Sequence, residues 1–235
     1  MIVTYNGLNY CGYQKQPKGR TIQTELETAI KILTKEQVNC VASGRTDAKV
    51  SAYYQPVHFD CNIELNTSKF LRSINGLLPK DIRVLSVEET TIHARFSAKR
   101  KTYIYQMYIS DIDSPLIPNA LRIPTSINLK EMNEFVKLLK GKHDFSGFKA
   151  SGSETETSER TIYCAKLKQK NNMLTFEITG NGFLYKMVRN IVGTMLQIGE
   201  GKLNLEAIKP ILFTEFKYTS TAKPEYLYLL NVQYK

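Results

Sequence analysis

The sequence predicts an α+β fold built on a largely antiparallel sheet. Three observations predict it: four stripes of apolar residues at helical spacing, seven strand-like runs between them, and stretches where one run follows another with no helix between. A strict βαβ series lacks that last feature.

Each element has a local reason. Ile2 to Tyr5 reads as a strand. Thr21 suits an N-cap, and Ile22, Leu26, Ala29, Ile30 and Leu33 recur behind it on one helical face. Val38 to Ala42 and Gln55 to Asp60 are strand-like. Phe70, Leu71, Ile74, Leu77 and Leu78 form a second stripe, starting near Thr67 and stopped by Pro79. Ile82 to Glu88 and Thr102 to Ile109 are further strands. Asp111 to Pro124 holds three prolines and reads as a connector. Leu129, Met132, Phe135, Val136 and Leu139 make a third helix, with Asn128 and Glu131 fitting its first turn and Gly141 its end. Phe145 to Ser158 is rich in Ser, Thr, Gly and Glu and reads as a flexible loop. Ile162 to Lys168 and Leu174 to Thr179 are strands, the second alternating at Leu174, Phe176 and Ile178. The strongest helical stripe is Leu184, Met187, Val188, Ile191, Val192, Met195 and Leu196. Both halves carry a similar mixture, so the chain reads as two α+β subdomains, 1–100 and 101–235.

Composition narrows the function. The 235 residues are 42% hydrophobic, enough for a real core. No run approaches the ~20 consecutive apolar residues of a membrane helix. The first residues show no basic segment leading into an apolar one, so no signal peptide is visible and the expected compartment is the cytoplasm. Lys and Arg outnumber Asp and Glu by 32 to 22, a formal charge of +10 that suggests a polyanionic partner. Cys11, Cys40, Cys61 and Cys164 form no C-x-x-C pair, and with His58, His93 and His143 as the only histidines no metal-ligand pattern emerges. No cofactor motif is present, and reduced thiols are expected.

Three segments could carry chemistry. Gly44-Arg45-Thr46-Asp47-Ala48-Lys49-Val50-Ser51-Ala52 sets an arginine two residues from an aspartate in a glycine-led loop. A carboxylate beside a guanidinium stays ionised, which suits a nucleophile or base. In His93 to Tyr105, strand alternation puts Tyr103 and Tyr105 on one face after the basic run Lys99-Arg100-Lys101, a combination that suits a stacked nucleobase. In Gly180 to Gly193, Arg189 falls at the flank of the apolar face of the last helix. A guanidinium partly buried there calls for a carboxylate partner.

These segments resemble the tRNA pseudouridine synthase A family. Its catalytic loop usually reads GRTDAGVHA, its middle segment carries a Tyr-x-Tyr pair, and its last helix reads Phe-x-x-x-Met-Val-Arg-Asn-Ile-Val-Gly. Weaker similarities are Tyr5-Asn6-Gly7 with Tyr10-Cys11-Gly12-Tyr13-Gln14, and Arg160-Thr161-Ile162. The matches run in the family's order from Tyr5 to Gly193. Lys49 stands where the family has Gly, Ser51 where it has His, Tyr13 where it has Trp and Asn6 where it has Asp. If the family glycine adopts positive φ, Lys49 must strain or shift the loop, or else adds a phosphate contact.

The resemblance implies a fold of two ferredoxin-like halves sharing a continuous mostly antiparallel sheet, with flanking helices and the active-site cleft between the halves. It implies isomerisation of uridine to pseudouridine in the anticodon stem-loop (tRNA positions 38–40), with no cofactor and no metal, by a homodimer. Asp47 is then the catalytic residue, Arg189 its partner, and Tyr103 the ring against the uracil. Arg45 holds the gap left by a flipped nucleotide. Tyr105, Lys49, Arg100 and Arg160 join the substrate-binding set. Lys15, Lys18, Arg20, Arg72, Arg100, Lys142, Lys149 and Lys186 are candidate phosphate contacts. Two rivals remain open: an RNA-binding module of the same fold without chemistry, and a metal-dependent nuclease.

Overall fold

A computed structural model describes residues 1–64, 66–152 and 156–235. The chain forms two compact units: Met1–Lys99 with Tyr228–Lys235, and Arg100–Leu227. Both are mixed α/β structures with mostly antiparallel sheets and flanking helices.

The first unit contains β1 (Ile2–Tyr5), α1 (Ile22–Thr34), β2 (Val41–Ala42), β3 (Ser51–His58), α2 (Thr67–Leu77) and β4 (Ile82–Ser86). β1 runs antiparallel to both β3 and β4. β2 pairs antiparallel with β3, placing Val41 opposite His58. The helices begin where capping chemistry allows. Thr21 accepts the Thr24 N–H at 3.3 Å, and Asn66 accepts the Lys69 N–H at 3.0 Å. α1 ends at Lys35, whose φ of 62° is left-handed, and α2 ends before Pro79. Ile22, Leu26 and Ile30 of α1 and Ile74 of α2 are wholly buried, each removing enough apolar surface to stabilise the unit by roughly 1.5–3 kcal/mol.

The second unit contains β5 (Arg100–Ile109), β6 (Leu121–Ile123), α3 (Leu129–Leu138), β7 (Gly141–Asp144), β8 (Glu159–Lys170), β9 (Met173–Gly180), α4 (Met187–Gly199) and α5 (Leu205–Ile208). β5 pairs antiparallel with β9 from Lys101 opposite Gly180 to Tyr108 opposite Met173. β8 joins the other side of β9, and β7 pairs with β8. Asn171, at φ 55°, turns the hairpin between β8 and β9. Asn128 caps α3, accepting the Glu131 N–H while donating to the Glu131 carboxylate.

Several details depart from the sequence reading. The proline-rich connector contains β6, parallel to β5. Two further strands among the described residues lie outside the runs read as strands: β7, and β10 (Leu227–Gln233). From Tyr228 onward β10 belongs to the first unit, where it lies parallel to β3 at Ser51 and Ala52. α4 starts at Met187 rather than Leu184, because Lys186 takes a left-handed φ of 57° and breaks the helical run. Of the segment read as a flexible loop, Ser153 to Thr155 lie outside the described residues, whereas Phe145 and Phe148 are completely buried. Large aromatic side chains anchor that part in the core.

Candidate active site

The loop from Ser43 to Val50 joins β2 to β3 and is held from behind by a buried polar network. Gln55 on β3 is wholly buried. Its Nε2 donates to the Gly44 carbonyl at 2.7 Å and to the Tyr5 hydroxyl at 3.3 Å, while its Oε1 accepts from Ser43 Oγ at 2.6 Å. The Tyr5 hydroxyl also bonds Thr46 Oγ1 at 2.8 Å. Burial pushes the Tyr5 phenol up to about 12, against the opposing pull of its bonds to Thr46 and Gln55. A neutral donor–acceptor group therefore stays in place behind the loop. Satisfied buried polar networks of this kind fix one conformation.

The segment after β1 braces the loop from a second direction. Tyr13 donates its N–H to the Thr46 carbonyl at 3.1 Å, and Lys49 donates its N–H to the Tyr10 carbonyl at 3.1 Å. The approach is close enough to require glycine. A Cβ on Gly7 would lie 2.1 Å from the Val50 carbonyl oxygen, and one on Gly12, at φ 101°, would lie 2.7 Å from that of Thr46. The Gly7 N–H donates to Ser51 Oγ at 3.0 Å, so the serine in place of the family histidine has a structural partner. Tyr10 is tied in turn to Asp81 by a 2.6 Å hydrogen bond.

The turn at Asp47 closes through the Val50 N–H to the Asp47 carbonyl at 3.2 Å. Lys49 sits inside it at φ 67°. The chain therefore keeps a turn that needs positive φ and accepts the strain of a lysine there, about 1–2 kcal/mol relative to an unstrained backbone. Arg45 and Lys49 are exposed and Asp47 is half-buried. These three predicted residues share one rigid loop.

In the second unit, Tyr103 and Tyr105 lie opposite Ile178 and Phe176 on β9. Tyr103 meets the Phe183 ring edge-on, with centroids 5.3 Å apart at 89°. Tyr105 is wholly buried, its ring edge-on to Tyr226 at 6.2 Å, and its hydroxyl has no hydrogen-bond partner. Burial, with Tyr226 nearby, drives that phenol far above its ordinary range, while the Arg189 guanidinium pulls the other way. Tyr105 thus lies inside the core.

Arg189 lies in the first turn of α4, half-buried as its place on the helical wheel predicts. Its Nε donates to the Ala222 carbonyl at 2.8 Å, and the Ala222 N–H donates back to the Arg189 carbonyl at 3.0 Å. Asn190, fully buried beside it, donates to the Phe148 carbonyl at 2.8 Å and accepts from the Thr221 hydroxyl at 2.7 Å. Gly193 lets this strap lie flat, since a Cβ there would be 2.2 Å from the Ser220 carbonyl oxygen. Arg100 stacks over the Tyr163 ring at 4.5 Å. Arg160, whose charge burial disfavours, turns its guanidinium to the Thr157 and Glu159 carbonyls at 2.9 and 2.6 Å.

Among the candidate phosphate contacts, Lys15, Arg20 and Lys142 form ion pairs with Glu27, Glu25 and Glu159 at 2.7, 2.9 and 3.3 Å. The basic side chains of all three pairs are exposed, and such pairs near the surface contribute little to stability. Among the described residues, no three His, Cys, Asp or Glu side chains are grouped so as to hold a metal ion, and no helix is long and apolar enough to cross a membrane.

Sequence reasoning missed Gln55 and Asn190. Gln55 signals itself only as a polar residue in a strand run, and Asn190 only as the asparagine that follows Arg189 in the helix motif.

A family model described as tRNA pseudouridine synthase matches residues 1–97 and 135–235. Arg100, Tyr103 and Tyr105 fall between the matched stretches. Curated relatives align across the whole chain. The tRNA pseudouridine synthase A of Anoxybacillus flavithermus is 41% identical over 237 residues, covering 99% of this chain and 96% of its own. That of Geobacillus kaustophilus is 40% identical, covering 100% and 93%. That of an Exiguobacterium species is 39% identical, covering 100% and 97%.

Proposed function

Because the chain belongs to the tRNA pseudouridine synthase family, we propose that it isomerises uridine to pseudouridine in tRNA, at positions 38–40 of the anticodon stem-loop. The observation that carries this reading is the Asp47 loop, with its family sequence kept around the aspartate and its backbone braced by Tyr5, Gln55, Gly7 and Gly12.

The reaction breaks the N1–C1′ bond, turns the uracil and rejoins it through C5. One ionised carboxylate can start it, either by adding to the sugar or by removing a sugar proton. Asp47 is assigned that role. Arg189 is assigned as the partner that keeps Asp47 charged and oriented. Tyr103 stacks on the uracil and assists proton transfer at C5, with Tyr105 supporting it from the core. Arg45 occupies the space of the flipped nucleotide. Lys49, Arg100 and Arg160 meet phosphates. The protein works as a homodimer in the cytoplasm, without metal or cofactor.

The test is pseudouridine formation on an unmodified tRNA carrying uridines at 38–40, with EDTA present, by the parent and by Asp47→Asn. The parent forms product. The variant loses turnover on the order of 10⁴-fold or more while still binding tRNA. Appreciable turnover by the variant removes Asp47 from the mechanism. Binding without product by the parent moves the reading to an RNA-binding module.

A further inference from the structure

The turn from His93 to Ser97 holds an aromatic side chain out in solvent on a rigid support. Phe96 is 77% exposed. Its ring stacks on His93, centroids 4.4 Å apart at 26°, and His93 packs on His58 at 4.4 Å. The support is fixed at several points. Ala94 donates its N–H to His58 Nδ1 at 3.1 Å, and the Arg95 and Phe96 N–H groups both donate to His93 Nδ1 at 3.2 Å. Ser97 closes the turn onto the His93 carbonyl at 3.0 Å. From the far end of the chain, the Tyr234 hydroxyl donates to the Ala94 carbonyl at 2.8 Å.

We propose that Phe96 is a stacking platform for an unpaired base of the RNA substrate, a reading that rests on the proposed function. Stacking on a ring tolerates any base, and a ring already held in place loses little entropy when one lands on it. The flanking charge is complementary to RNA. Arg95 lies 5.7 Å from the Phe96 centroid, and its guanidinium is itself a plane on which a base can stack. Lys99, exposed, follows within reach of a neighbouring phosphate, and no carboxylate stands between His93 and Lys99. A protein partner fits less well. One ring and the half-exposed Ile92 beside the turn fall far short of the roughly 800 Å² that each side of a specific protein interface buries.

The chain contains no tryptophan, so Phe96→Trp supplies a unique fluorescent reporter at the platform. An unmodified anticodon stem-loop should quench it, and a fully paired RNA of the same length should not. Phe96→Ala should weaken stem-loop binding about tenfold or more, with Phe96→Trp restoring it and an unchanged thermal melt showing that the fold survives. Equal quenching by the paired RNA overturns the proposal. So does Phe96→Ala binding as tightly as a parent that binds the stem-loop, and this leaves the proposed function standing. A parent that binds no tRNA defeats both. If Phe96→Ala instead changes the oligomeric state, the ring belongs to an interface between copies.

Discussion

At the scale of single residues, Lys49 is the most informative departure from the family pattern. Its left-handed φ of 67° is strain that glycine would relieve. Lys49→Gly should raise stability by up to about 1 kcal/mol, the gain being limited by the extra freedom glycine has in the unfolded chain. The same change removes a cation beside Asp47. The slope of log affinity for tRNA against log salt should fall by about one unit, as for any lost phosphate contact. Urea unfolding and a salt titration measure the two effects separately. An unchanged slope would mean that Lys49 touches no phosphate. The Asp47 loop is legible in the sequence because its pattern lies in adjacent residues, Gly44 to Ala48. Gln55 is not, since its role exists only once Tyr5, Ser43 and Gly44 arrive from other parts of the fold.

At the scale of elements, the first turn of α4 is the joint to test. Asn190 ties it to Phe148 and Thr221, while Arg189 is tied to Ala222. Asn190→Ala should leave the Phe148 carbonyl and the Thr221 hydroxyl without their partner, destabilising the protein by about 2–4 kcal/mol. Its kcat should drop more than its affinity for tRNA, because the strap that aims Arg189 is loosened. A stable variant with normal kcat would show that the strap does not position the arginine. The four main helices were readable because each buries a stripe at 3.6-residue spacing and most carry a polar cap. β10 had an apolar run, Leu227 to Leu230, that passed unread. β7, Gly-Lys-His-Asp, has no pattern of its own. It is a strand because β8 offers it an edge, with His143 set opposite Arg160.

At the scale of the whole molecule, the surplus of +10 makes salt the natural variable. With six to ten phosphate contacts, affinity for tRNA should fall by about 10³ to 10⁵ between roughly 50 and 200 mM salt. A flat dependence, measured by filter binding, would contradict recognition through phosphates. The order of elements along the chain has another effect. The unit that holds Asp47 is written in two pieces, and its last strand, β10, is translated only after all of Arg100–Leu227. During synthesis β3 therefore lacks its parallel neighbour at Ser51 and Ala52 while the other unit is made. A chain that stops at Leu227, released from the ribosome, should show Arg100–Leu227 resisting protease and the first ninety-nine residues still open to it. Equal resistance in both would show that β10 is dispensable for closure. If it is required, the unit that carries the Asp47 loop closes only after the whole of Arg100–Leu227 has been made.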